Sequence, residues 1–174
     1  MSYVTPATLQ TEYGTGELLQ ASASSDPAGL VSEALLALTI ADGDRSEYAA
    51  DEIAAANLVL VNITRACTQA NARIDSTIRA RWPGIETPVT TTTDLQRIGC
   101  WLARYMLRDL LIDEPQSTVW RRYADAVKEL GDLVRGMTDL GITPESVGTL
   151  PSAARPIVNA PAQVFTSDLL ERMP

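Results

Sequence analysis

The stretch "YAADEIAAANLVLVNITRACTQANARIDSTIRARW", residues 48–82, decides the fold class. Ile53, Ala56, Leu60, Ile63, Cys67, Ala70, Ile74 and Ile78 recur along it at steps of three or four residues. That is the period of one buried face of an α-helix, so the stretch predicts a single long helix from about Tyr48 to Trp82. Pro83-Gly84 ends it. Asp75 directly follows the inward-facing Ile74 and therefore sits about 100° further round, at the edge of the buried face. Arg79 lies four residues on, in the acid-before-base order that favours an intrahelical ion pair. Arg79 and Arg81 also suit the negative end of the helix dipole. Arg73, Asp75, Arg79, Arg81 and Trp82 are thus candidate pairing residues, within the helix or between subunits, with Trp82 covering the helix end.

Working outward, the flanking segments carry helix punctuation and no sustained strand alternation. Thr5 followed by Pro6 reads as an N-cap and first helical position, with Gly14 as the stop. "ELLQ" (17–20) continues that helix or begins another turn, and "ASASSDPAG" (21–29) is loop-like. Asp26-Pro27 is placed to start a helix running through "LVSEALLALT" (30–39), and "ADGDRSE" (41–47) reads as a turn. Beyond Trp82, Pro88 favours an extended connection, and Thr92 or Thr93 is the expected cap of a helix presenting Leu95, Ile98, Leu102, Tyr105 and Met106. A last helix, about Ser117 to Met137, presents Trp120, Tyr123, Val127, Leu130, Val134 and Met137. The expected class is all-α: a small antiparallel helical bundle with one long central helix and an extended C-terminal arm. The helical core is expected over 1–141, with an acidic insertion at about 21–50, and the arm over 142–174.

That arm holds five of the ten prolines and only five charges, a composition that resists packing into a helix. Yet its tip gathers Val164, Phe165, Leu169, Leu170 and Met173, including the only phenylalanine of the chain. Such a tip needs a receiver, either the chain's own core or another subunit or partner.

Composition excludes several kinds of chemistry. The 174 residues contain no histidine, which removes His-based triads, His metal sites and the usual pH switch. The two cysteines, Cys67 and Cys100, sit in apolar helical patterns and read as free core thiols in preference to a disulfide. "DGDRSEYAADE" (42–52) offers Asp42, Asp44, Ser46 and Asp51 as oxygen ligands. A calcium loop would need Gly at its sixth position and Glu at its twelfth, where this chain has Glu47 and Ile53. "GTG" (14–16) has no strand before it and is only a helix stop. The acid pairs Asp113/Glu114 and Asp132/Asp139 lie at helix ends or on polar faces, with no apolar pocket implied to raise a pKa. No enzyme activity, metal or cofactor is expected. No apolar run is long enough for a bilayer span, and the first residues do not read as a signal peptide.

The net charge of −8 is uneven. Residues 1–50 hold seven acids against Arg45 (−6), whereas 51–81 hold three acids against four arginines (+1) and 95–112 hold three arginines against Asp109 (+2). An acidic chain argues against a duplex-gripping module, because few cations are present to displace counterions. Thirteen of the fourteen basic residues are arginine, whose planar fork suits carboxylate pairing at interfaces.

"ANARIDSTIRARWPGIETPV" resembles the end of a long helix in small head–tail connector (adaptor, or head-completion) proteins of Mu-like and other long-tailed phages. The matching positions are Ala70, Ile74, Asp75, Ile78, Arg81, Trp82 and Pro88. "LQRIGCWLARYMLRD" (95–109), "VWRRYADAVKELGDLVRG" (119–136), "QVFTSDLLERM" (163–173) and the opening "YVTPATLQTEYGTGELLQ" are similar to further family segments in the same order. Trp82 stands where the family usually has Tyr, and 21–50 looks like an expansion of a short turn. The resemblance implies a structural virion protein at the head–tail junction, assembled in the host cytoplasm. It implies a homo-oligomeric ring, expected as a dodecamer, below the portal protein. Such a ring extends the DNA channel and offers a surface to a tail or stopper protein. DNA passes through its lumen without specific binding, and no membrane is involved. The opposite charges of 1–50 and 51–112 suit head-to-tail pairing between neighbours. The main alternative is a DNA-recognition ring protein such as a small terminase subunit, and a third is a small regulatory helical protein. A helix-turn-helix would need exposed bases on its second helix, whereas the connection 83–94 is long and proline-rich and the next helix spends Leu95, Ile98 and Leu102 on packing.

Overall fold

The computed structural model describes residues 2–107 and 117–142. Among these the chain is all-helical: α1 (Pro6–Tyr13), α2 (Thr15–Ala21), α3 (Glu33–Ile40), α4 (Ala50–Arg81), α5 (Thr93–Met106) and α6 (Thr118–Arg135), with a short 3-10 turn at Ala23–Ser25. No helix of the described residues is long and apolar enough to cross a membrane. The C-terminal arm beyond Ile142 lies outside the described residues, and so do Val164, Phe165, Leu169, Leu170 and Met173. Asp113 and Glu114 also lie outside them.

The caps explain most boundaries. Thr5 accepts the Thr8 N–H at 3.2 Å while the Thr8 hydroxyl accepts the Thr5 N–H at 2.8 Å, a reciprocal box with Pro6 at the first position. Thr92 and Ser117 cap α5 and α6 by accepting the N–H of Leu95 and Trp120. At α4, Ala49 has no side-chain oxygen to offer, and Glu52 Oε2 instead accepts the Ala49 N–H at 2.8 Å. Gly136 closes α6 in the left-handed region (φ 74°, ψ 23°), and the Met137 N–H returns to the Asp132 carbonyl. One expected start is wrong: α3 does not begin at Asp26-Pro27. The Asp26 carboxylate is spent on the N–H groups of Leu30 (3.0 Å) and Val31 (2.8 Å), which makes a turn. The helix waits for Ser32, whose hydroxyl takes the Leu35 N–H.

α4 is the central element, 32 residues long, hence about 48 Å, and α3, α5, α6 and α1 pack on it. Its buried residues are Ala56, Val59, Ile63, Ala66, Cys67, Ala70, Ile74 and Ile78. The expected stripe is thus right except at its start, where Val59 replaces Leu60 and Ile53 is only partly buried. Burying each of Ile63, Ile74 and Ile78 contributes roughly 1.5–3 kcal/mol. α5 and α6 run antiparallel: Arg97 forks onto Glu129 (2.8 and 3.1 Å), and the ring of Tyr105 stacks on Tyr123 with centroids 3.8 Å apart. The α6 face is turned from its expected position. Ala126, Leu130 and Leu133 form the buried stripe, whereas Val134, one position round from Leu133, and Met137, past the helix end, are exposed.

Leu140 and Ile142 then pack back into the same core, and the Leu140 carbonyl accepts the Thr92 hydroxyl at 2.9 Å. The packed unit therefore includes Ile142, the last described residue.

Candidate functional site

The stretch around Asp75 becomes a joint between three chain segments. Asn71 and Asp75, four residues apart, lie on one flank of α4. The extended residues before α1 run along that flank. Asn71 Oδ1 accepts the N–H of Tyr3 (3.1 Å) and of Val4 (3.0 Å), and its Nδ2 donates to the Val4 carbonyl (3.0 Å). One side-chain amide thus serves the backbone of the extended segment much as a neighbouring strand would.

The buried ring of Tyr3 carries its hydroxyl to the next turn of α4, where it donates to Asp75 Oδ1 at 2.8 Å. The same hydroxyl accepts the Val89 N–H at 3.0 Å, which ties in the segment between α4 and α5. Burial, and then the hydrogen bond to Asp75, push the Tyr3 phenol well above its ordinary range. The phenol therefore keeps its proton at neutral pH, and the hydroxyl pins the three segments together.

Behind Tyr3, Val4 approaches α5 at Gly99. A Cβ there would stand 3.2 Å from Val4 Cβ and 3.5 Å from Ile74 Cδ1, so the glycine makes room for three elements to meet.

The expected pair between Asp75 and Arg79 is not formed: Asp75 is taken by Tyr3, and the Arg79 guanidinium donates to Thr87 Oγ1. Tertiary contact with a buried donor displaces an exposed ion pair that is worth only a few tenths of a kcal/mol. Trp82 caps α4 by donating its N–H to the Ile78 carbonyl, and its ring is partly buried against the core as expected. Arg81 lies over that ring, 5.7 Å from its centroid. Its Nη2 would stand 2.9 Å from a Cβ at Gly136, so the ends of α4 and α6 meet there. Arg73 is exposed on α4 and forms no ion pair with a described residue. Of the sequence candidates, Asp75, Arg79, Arg81 and Trp82 are therefore brought to one end of α4, with Arg73 further along its outer face.

One further tie braces the bundle, Arg104 Nε of α5 to Glu17 Oε1 of α2 at 2.8 Å; within α5 itself the Arg97 guanidinium lies 4.5 Å from the Trp101 ring centroid. Cys67 and Cys100 are buried free thiols, as expected, and burial pushes them up to about 12 and about 11. Burial likewise pushes Tyr13 up to about 12; the Arg122 guanidinium lies near its hydroxyl without closing a hydrogen bond.

The arrangement holds chain segments in fixed positions. An open hollow of about 400 Å³ beside α2 and α3 is lined by Leu19, Asp26, Val31 and Glu33, and its Asp26 is already committed to backbone N–H groups.

A family model described as Bacteriophage Mu, Gp36 matches residues 3–158. The chain belongs to that phage protein family. The match begins at Tyr3, the residue that pins the joint, and spans every described helix of this Gp36-family chain. No curated protein and no solved structure matches it.

Sequence reading missed Tyr3, Asn71, Val89 and Gly99. A polar Asn71 beside an apolar stripe was the available signal. Its partners lie 67 and 68 positions away, beyond the reach of periodicity.

Proposed function

We propose that this Gp36-family chain is a non-enzymatic structural protein of virion assembly, a head–tail connector. In this reading copies form a ring below the portal, the ring extends the DNA channel, and its free side receives a tail or stopper protein. The observation that carries the proposal is the family match over 3–158, joined to the sequence likeness to connectors. The fold is compatible. A braced bundle around a 32-residue helix makes a stiff wall unit, and an acidic chain can line a conduit without gripping DNA. The arm tip, Val164, Phe165, Leu169, Leu170 and Met173, anchors on a neighbour or on the portal. Arg73, Arg79 and Arg81 serve pairing between or within subunits.

The test is to add the purified chain to DNA-filled heads that carry a portal and lack a connector. Stoichiometric co-sedimentation with the heads, and restored tail joining, are expected. A chain shortened after Ile142 is expected to keep its helical content and lose attachment. Absence of head binding, together with a salt-dependent shift of duplex DNA, would replace this reading with the terminase-like one. That alternative gains nothing from α5, whose Leu95, Ile98 and Leu102 are wholly buried.

A further inference from the structure

Among the described residues, besides the single Leu30, large apolar side chains are left in water as pairs at two separate places. Leu58 and Val61 on α4 are 61% and 65% exposed; Val134 and Met137 at the end of α6 are 41% and 74% exposed. The two patches do not merge. The α6 end meets α4 at Arg81, and Val61 is 20 residues back along the same helix, about 30 Å away.

Each patch has its own charge. Arg45 Nη1 donates to Asn57 Oδ1, which lays the 41–49 turn beside Leu58 and Val61. That turn and the first turn of α4 bring Asp42, Asp44, Glu47, Asp51 and Glu52 against Arg45 and the exposed Arg65, a net negative charge, and none of these acids is ion-paired to a described residue. At the other patch Arg79 and Arg81 are exposed and likewise lack a described carboxylate partner.

We infer that these two patches are the two sides of one subunit contact: Val134 and Met137 of one copy seat on Leu58 and Val61 of the next. The arginines at the end of α4 then face the acidic turn. The occupant is a second copy of this chain because each patch finds its complement, in apolarity and in charge sign, on the same molecule. Self-pairing of either patch would bring like net charges together, although each holds a minority of the other sign, Arg45 and Arg65 at one and Asp139 at the other. Unlike surfaces joined in this way make a heterologous contact, the kind that closes rings. The inference rests on the connector reading for its purpose and stands or falls separately from it.

Two full-length variants of different tag size, Val61→Cys and Met137→Cys, are mixed and treated with a short bismaleimide; the native thiols are buried and stay silent. The expected product is the mixed dimer, several-fold over either self-linked dimer, and its yield falls as salt is added. Self-linked Val61→Cys or Met137→Cys dimers in excess would overturn the inference in favour of a two-fold contact. No enrichment of the mixed dimer would overturn it outright. A yield indifferent to salt would overturn its electrostatic half. Wild-type chain that binds portal-bearing heads while the mixed link fails leaves the connector reading intact and removes this interface alone; the mixed link without head binding does the reverse.

Discussion

Residues 66–81 of α4 bury Ala66, Cys67, Ala70, Ile74 and Ile78, and their flank holds the N-terminal segment through Asn71 and Asp75. Residues 50–65 bury Ala56, Val59 and Ile63 but leave Leu58 and Val61 facing water. Both halves follow the same helical period. They differ in what sits on the outer flank: in one half Asn71 matched to distant backbone and Asp75 to the Tyr3 hydroxyl, in the other the unmatched apolar Leu58 and Val61. The distal half is thereby braced, and the proximal half keeps Leu58 and Val61 uncovered.

The severest way to break the braced half is alkali. Tyr3, Tyr13, Cys67 and Cys100 are all held neutral by burial, with raised pKa values, and all surround it. A raised folded pKa gives stability that is complete below the unfolded value and is lost as pH climbs toward the folded one. Stability is expected to be unchanged up to about pH 8, to fall once the unfolded-chain thiols and then phenols would ionise, and the fold to be lost cooperatively by about pH 12. Far-ultraviolet circular dichroism followed beside tyrosinate absorbance tests this, and early ionisation without unfolding would contradict it.

Asn71→Ala comes next. It strips partners from two backbone N–H groups and one carbonyl and should cost about 3 kcal/mol in urea unfolding. A loss under one-third of that would mean that water takes over the amide's role. Gly99→Val drives a branched side chain into Val4 and Ile74 and is expected to cost about 1–3 kcal/mol. Tyr3→Phe keeps the buried ring but deletes the bonds to Asp75 and Val89, a loss of about 1–2 kcal/mol. A neutral result would show that the ring alone seats the segment. Smallest of all, Leu58→Ser with Val61→Ser should leave monomer stability within about 0.5 kcal/mol of wild type. A large drop there would erase the contrast between the halves.

Much of this was legible in the chain. The class, the long helix, the cap at Thr5, the cap at Thr92 (one of the two threonines expected) and the start of the last helix near Ser117 followed from period and punctuation. So did the burial of Ile63, Ile74 and Ile78. The misreadings have local causes. Asp26 carries the mark of a helix start, yet its two oxygens find closer backbone donors in a turn. Val134 and Met137 keep the α6 period, but the buried stripe runs through Ala126, Leu130 and Leu133, which leaves Val134 on its outer edge and Met137 beyond the helix end. At the candidate site, Asp75 was singled out for the right reason, its place at the edge of the buried face, and given the wrong partner. Spacing reveals Arg79 four residues away and is blind to Tyr3, 72 positions distant.

By itself, the sequence determined which residues are helical and which side of each helix is apolar, because both depend on neighbours within a turn or two. Tertiary structure alone decided what each flank meets. The extended N-terminal residues reach Asn71 and Asp75, Gly99 lets Val4 and Ile74 come together, and Leu58 and Val61 are left uncovered. These outcomes depend on how segments far apart in the chain satisfy one another's hydrogen bonds and volume. No local pattern encodes that.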